Sequence, residues 1–180
     1  SIIAWMVGLF VFGALYGSIG DQIADFIADN PMYADIVAQL QGANLTDSFF
    51  ATAMAMLALF SGGFAISATL RLHSEENAGR ADTLLAGPIS RTRWALSHLT
   101  VAVVGSTAIV LAGGFGTGLA YALVAGEPSE ILRMMGASLV TLPGVLIFTG
   151  IAMAIFGLAP RASLAAWAAL AFVAVIAFFG

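Results

Sequence analysis

LTVAVVGSTAIVLAGGFGTGLAYALV, residues Leu99–Val124, runs without one charged side chain. An α-helix rises 1.5 Å per residue, so about 20 apolar residues cross a hydrocarbon core of roughly 30 Å. This run is long enough. It also contains GGFGTG at Gly113–Gly118, which superficially matches a nucleotide-binding glycine loop. That loop needs a strand before it and a helix after it, opening to water. Here the glycines lie inside an apolar helical run, where Gly114 and Gly118 form a GxxxG face of the kind that lets helices approach closely in lipid. The stretch reads as a transmembrane helix.

The same reading extends outward in both directions. Apolar runs recur at residues 2–19, 49–70, 134–158 and 164–180, giving five visible spans with residues 99–124 among them. Composition agrees: 61% of the 180 residues are hydrophobic, 9% are charged, and the mean hydropathy is +1.01. Soluble domains are about half apolar and a quarter charged. The expected class is an all-α polytopic membrane protein. Ser1 leads directly into IIAWMVGLFVFG and Gly180 follows AFVAVIAFF; no basic flank or cleavage pattern precedes the first run, so it reads as a span and not a signal peptide. The chain is expected to be a piece of a longer protein, with a sixth span missing from an odd count. Within the first span Gly13 and Gly17 repeat the small-residue spacing. In the fourth, Pro143-Gly144 is expected to kink the helix, because proline lacks a backbone donor.

Two polar stretches separate the spans. Residues 21–46 carry Asp21, Asp25, Asp29 and Asp35 and no basic residue. Ile23, Phe26 and Ile27, then Tyr33, Ile36, Val37 and Leu40, fall at helical spacing around an Asn30-Pro31 break. They read as two short amphipathic helices capping the membrane surface, with attraction to anionic lipid ruled against by the acidic face. The second stretch, residues 71–98, is richer. With Leu70 before it, it reads LRLHSEENAGRADTLLAGPISRTRWALSH and holds four of the six Lys and Arg residues, all of them arginine, together with both histidines. Ser74 is placed to cap a surface helix from Glu75 to Ala86 that ends at Gly87-Pro88, and Ser90 a second helix bearing Arg91, Arg93 and Trp94 at interface depth. Cytoplasmic loops retain positive charge. Arg71, Arg80, Arg91, Arg93 and Arg161 fall on one side of the spans and Arg133 alone on the other, so residues 71–98 are assigned to the cytoplasm and residues 21–46 to the outside.

Several chemistries find no support in these residues. There is no cysteine, hence no disulfide or thiolate metal site. His73 and Glu76 have the spacing of a metal pair, but a single histidine beside surface carboxylates reads as a solvated face. No glycine-flanked nucleophile turn gathers the serines, histidines and aspartates. No catalytic, cofactor-binding or metal residue is assigned, nor any nucleic-acid partner. An ion-coupled carrier normally buries ionisable residues in its spans; none of the five has one in its interior. That carrier, with a broken-helix site at Pro143-Gly144 or Gly62-Gly63, and a non-transporting scaffold are the remaining alternatives.

The segment EENAGRADTLLAGPISRTRW resembles the cytoplasmic coupling segment of type-2 permeases of ABC transporters, in the subgroup described as polyketide antibiotic exporters. Glu75, Glu76, Gly79, Arg80, Leu84, Leu85, Ser90, Arg91, Arg93 and Trp94 carry the likeness; Asp82 stands where glutamate is usual. LPGVL at Leu142–Leu146, FGLAPR at Phe156–Arg161 and Trp167 extend it. The resemblance implies a six-span permease repeat in a bacterial cell membrane, paired with a second permease half. Residues Glu75–Ala86 would dock on a separate ABC ATPase subunit that holds ATP and Mg. The transported compound would be an amphipathic or lipophilic small molecule. The chain has no Walker A run, G-x-x-x-x-G-K-[ST], and without a lysine could not have one.

Overall fold

A computed structural model describes residues 1–28, 45–77, 91–158 and 165–179. Its elements are α-helices: α1 (Ile2–Ala28), α2 (Leu45–Asn77), α3 (Arg91–Ala125), α4 (Ser129–Val140), α5 (Leu142–Leu158) and α6 (Ala166–Phe179). Four stretches among the described residues are long and apolar enough to cross a membrane: Ile2–Gly20, Thr46–Leu70, Leu99–Ala125 and Ser129–Ile155. The protein is an all-α polytopic membrane protein. Its outer surface fits that solvent: Ile3, Val7, Val11 and Leu15 form an exposed i, i+4 stripe along α1, costly in water and free of cost against lipid tails.

Several boundaries differ from the sequence expectation, each for a local reason. Residues 21–28 do not start a separate surface helix. They continue α1, since Gly20 alone is a weak breaker and the first proline comes only at Pro31. Likewise Ser74 caps no new helix: α2 runs unbroken from Leu45 to Asn77, with no Gly or Pro between Gly63 and Gly79 to stop it. The fourth span begins at Ser129, earlier than Met134. Pro128, with φ −60, leads into it and Glu130 sits in its first turn, where a carboxylate meets the positive end of the helix dipole. Only Gly126–Pro128 remains as a connection. Gly126 adopts φ +74 and donates its N–H to the Ala122 carbonyl at 3.0 Å, a left-handed helix stop that suits glycine. The expected fifth span appears as α6, 14 residues long and about 21 Å at helical rise, shorter than the other four. Residues 29–44, 78–90 and 159–164 lie outside the described residues, and with them the whole of the second expected amphipathic helix, the Gly79–Ser90 part of the polar segment, and Arg161.

The described chain packs as two compact units, Ser1–Ala58 with Ile109–Thr141 and Leu59–Ala108 with Leu142–Gly180. In the first, the glycine-rich part of α3 serves three neighbours. A Cβ at Gly116 would meet the Phe10 carbonyl of α1, and one at Gly13 or Gly17 the α3 backbone at Gly113 or Thr117. On another face, a Cβ at Gly114 would meet Ser138 of α4, and one at Gly118 would come within 2.8 Å of the Ile131 Cα. Gly113 also faces Leu57 of α2. Glycines at successive helical angles thus admit a neighbour on each side, where lipid supplies no hydrophobic drive and close backbone contact holds helices together. Thr117 and Ser138, both buried, donate to carbonyls of their own helices, Gly113 at 3.0 Å and Met135 at 2.8 Å, which keeps their hydroxyls satisfied in an apolar setting.

The second unit centres on Ile66, Phe148, Ala152 and Ala166, with Leu70, Ile155 and Leu170 packed against them. Gly62 and Gly63 do not break α2; a Cβ at Gly62 would come within 2.7 Å of the Phe148 ring. They admit large side chains of α5 and α6.

Candidate functional site

The first unit carries a groove along one side of α2 and α4. Asp47, Phe50, Ala51 and Met54 line it from α2; Arg133, Met134, Ala137, Val140 and Thr141 from α4 and its end. The first set is spaced i, i+3, i+4, i+7 and the second i, i+1, i+4, i+7, i+8, each the periodicity of a single helix face. The two faces run parallel, because Asp47 and Arg133 meet at their starts: the Arg133 Nη1 donates to Asp47 Oδ1 at 2.8 Å, and its Nε to Glu130 Oε2 at 2.7 Å. From that charged rim the groove extends inward for about two turns, roughly 11 Å at helical rise. Its volume is about 360 Å³, within the range of about 300–1,000 Å³ common for small-molecule sites.

The groove wall is apolar and adaptable. Phe50, Met54 and Met134 are buried, and methionine's unbranched thioether adjusts to varied shapes. Behind Phe50 lies an aromatic cluster: Phe50 and Tyr121 have ring centroids 4.7 Å apart, Phe49 and Phe50 5.5 Å, Tyr16 and Phe49 5.5 Å. The Tyr16 hydroxyl reaches Met56 Sδ at 3.0 Å. Offset aromatic contacts of this kind stiffen the wall, while the groove surface keeps its two methionines.

The residues singled out by sequence fall elsewhere. Glu75 and Glu76 lie in the last turn of α2, beyond the apolar stretch that ends at Leu70. Arg91, Arg93 and Trp94 form the first turn of α3, before the apolar stretch that starts at Leu99. Gly79, Arg80, Asp82, Leu84 and Leu85 lie outside the described residues. Gly114 and Gly118 are in the α3–α4 contact. Pro143 opens α5, and Gly144 beside it has open space where a Cβ would be. The sequence assigns none of the groove residues to a site; Arg133 enters only as the arginine on the side opposite the other five. Asp47 and Arg133 are 86 positions apart, and a single sequence carries no signal for that pairing. The i, i+3 spacing of Glu130 and Arg133 was available, as was the isolation of Arg133 from the other arginines. Among the described residues no group of His, Cys, Asp and Glu side chains could hold a metal.

Known proteins give this architecture a relative. All 180 residues match the family described as the C-terminal domain of the multidrug efflux system permease Rv1217c. The chain belongs to that family. It is also 40% identical over 172 residues to the multidrug efflux system permease protein Rv1217c of Mycobacterium tuberculosis (strain ATCC 25618 / H37Rv), an alignment covering 94% of this chain. It spans 31% of that protein's length.

Proposed function

We propose that this chain is part of the membrane-spanning permease of an ATP-driven exporter in a bacterial cell membrane. It moves an amphipathic or lipophilic compound, antibiotic-like or lipid-like, outward by alternating access. A separate ABC ATPase subunit holds ATP and Mg and carries out the hydrolysis, and a second permease half or repeat completes the pathway. In this reading the chain has no catalytic site of its own.

The observation that carries the reading is the placement of the charged helix ends in a chain of a multidrug efflux permease family. Glu75-Glu76 and Arg91-x-Arg93-Trp94 stand outside the apolar stretches of α2 and α3, and they bracket the segment that resembles the coupling region of type-2 ABC permeases. That segment is the cytoplasmic docking surface, and the arginine distribution supports its side of the membrane. The Asp47–Arg133 pair fits the same topology, since it requires the starts of α2 and α4 to share one face, two crossings apart.

The paired substitution Glu75→Lys and Glu76→Lys tests the assignment. In the full-length permease purified with its ATPase, charge reversal is expected to abolish stimulated ATP hydrolysis and co-purification while membrane insertion stays intact. Survival of both stimulation and co-purification refutes the coupling assignment.

A further inference from the structure

We propose that the α2–α4 groove binds an amphiphile with a cationic head, its head at Asp47 and its apolar body against Phe50, Met54 and Met134. The proposal rests on the export reading for its purpose, and on the groove alone for its chemistry. Polarity in the groove is segregated: the charged side chains lie at its outer end and an apolar wall follows. At the inner end Thr141 spends its hydroxyl proton on the Ser138 carbonyl, so charge is confined to the outer end and a ligand filling the groove is charged at that end only.

Charge counting gives the sign of that end. The rim holds two carboxylates, Asp47 and Glu130, and one guanidinium, Arg133, which pairs with both. A cationic head at Asp47 leaves Arg133 on Glu130, so two cations match two carboxylates. An anionic head would set three negative groups around one arginine in a setting with less screening than bulk water, which is unfavourable. Exchange at the rim is cheap, because the Asp47 and Arg133 side chains are about half exposed (53% and 45%), and such solvent-screened pairs contribute little to stability. The rim sits where α2 and α4 enter their apolar stretches, so the head stays near water while the body enters at membrane depth, the arrangement in which an amphiphile already lies.

The test is binding to the full-length permease in phosphatidylcholine nanodiscs, without ATP or the ATPase, with empty nanodiscs as the partition control. Decyltrimethylammonium and decyl sulfate share a chain and differ in head charge. By calorimetry below their micelle concentrations, the ammonium compound is expected to bind saturably and at least tenfold more tightly than the sulfate. Asp47→Asn removes that preference. Arg133→Gln breaks the same ion pair but keeps the carboxylates, and is expected to retain or tighten ammonium binding. Ala137→Trp fills the groove and abolishes saturable binding, as does Ala51→Trp from the opposite wall. Equal binding of the two compounds, ammonium binding indifferent to Asp47→Asn and to both tryptophans, or parallel loss in Asp47→Asn and Arg133→Gln overturns the proposal. Because no nucleotide is present, a failure here is separate from a failure of ATP coupling: head-selective binding without ATP-driven transport would refute the export reading and leave the groove assignment standing.

Discussion

Gly116 shows how little room the first unit leaves. Its missing side chain is replaced by the Phe10 carbonyl of the neighbouring helix, and backbone cannot swing aside as a flexible side chain can. Gly116→Val is therefore expected to force α1 from α3 and cost about 1–3 kcal/mol, the usual range for overpacking, seen as a lower thermal midpoint of the purified permease. Gly8→Ala on α1, where a Cβ meets open space, is the matched control and should leave the midpoint unchanged or raise it, by up to about 1 kcal/mol of stability from the better helix former. The Asp47–Arg133 pair belongs at the same scale. Being half exposed, it should contribute little to folding, so Arg133→Gln is expected to shift stability by less than about 1 kcal/mol; a larger loss would make the pair structural. The small-residue spacings at Gly13/Gly17 and Gly114/Gly118 were legible as packing faces. Their partners were not, because which neighbour meets which face is fixed by contacts distant in sequence.

At the scale of the element, proline decides where a helix breaks. Pro143 has no N–H to offer the Leu139 carbonyl four residues earlier, and its ring crowds that carbonyl. The regular ladder ends at Val140, and the Thr141 N–H turns to Ser138 at 3.1 Å while its hydroxyl donates to the same carbonyl at 2.7 Å. The kink expected at Pro143-Gly144 thus appears as an interruption two residues earlier, separating α4 from α5. Pro143→Ala is expected to join the two into one helix. The gain should fall below the roughly 3 kcal/mol that separates proline from alanine in a helix interior, since Thr141 already offsets part of the loss; a thermal midpoint that drops instead would refute proline as the cause. The helix ends in the polar segment were harder to read. Ser74 looked like a cap because serine favours that position, but a cap needs a preceding stop, and α2 has none before Gly79. Local propensity described the residue type and missed the context.

At the scale of the whole molecule, the all-α membrane class was readable because lipid demands long apolar helices and composition reports them directly. The groove was not readable, since it needs α2 and α4 in register. The energy source is a property of the assembly: in the proposed reading ATP is held and hydrolysed by a separate subunit, and this chain has no lysine with which to build a Walker A run. The most direct test uses inside-out membrane vesicles containing the full-length permease and its ATPase, with uptake of the neutral lipophilic dye Nile red followed by fluorescence. The account predicts uptake that requires ATP, persists when a protonophore collapses the proton gradient, and is lost in the Glu75→Lys, Glu76→Lys variant. Uptake that persists without ATP and disappears with the protonophore would contradict it.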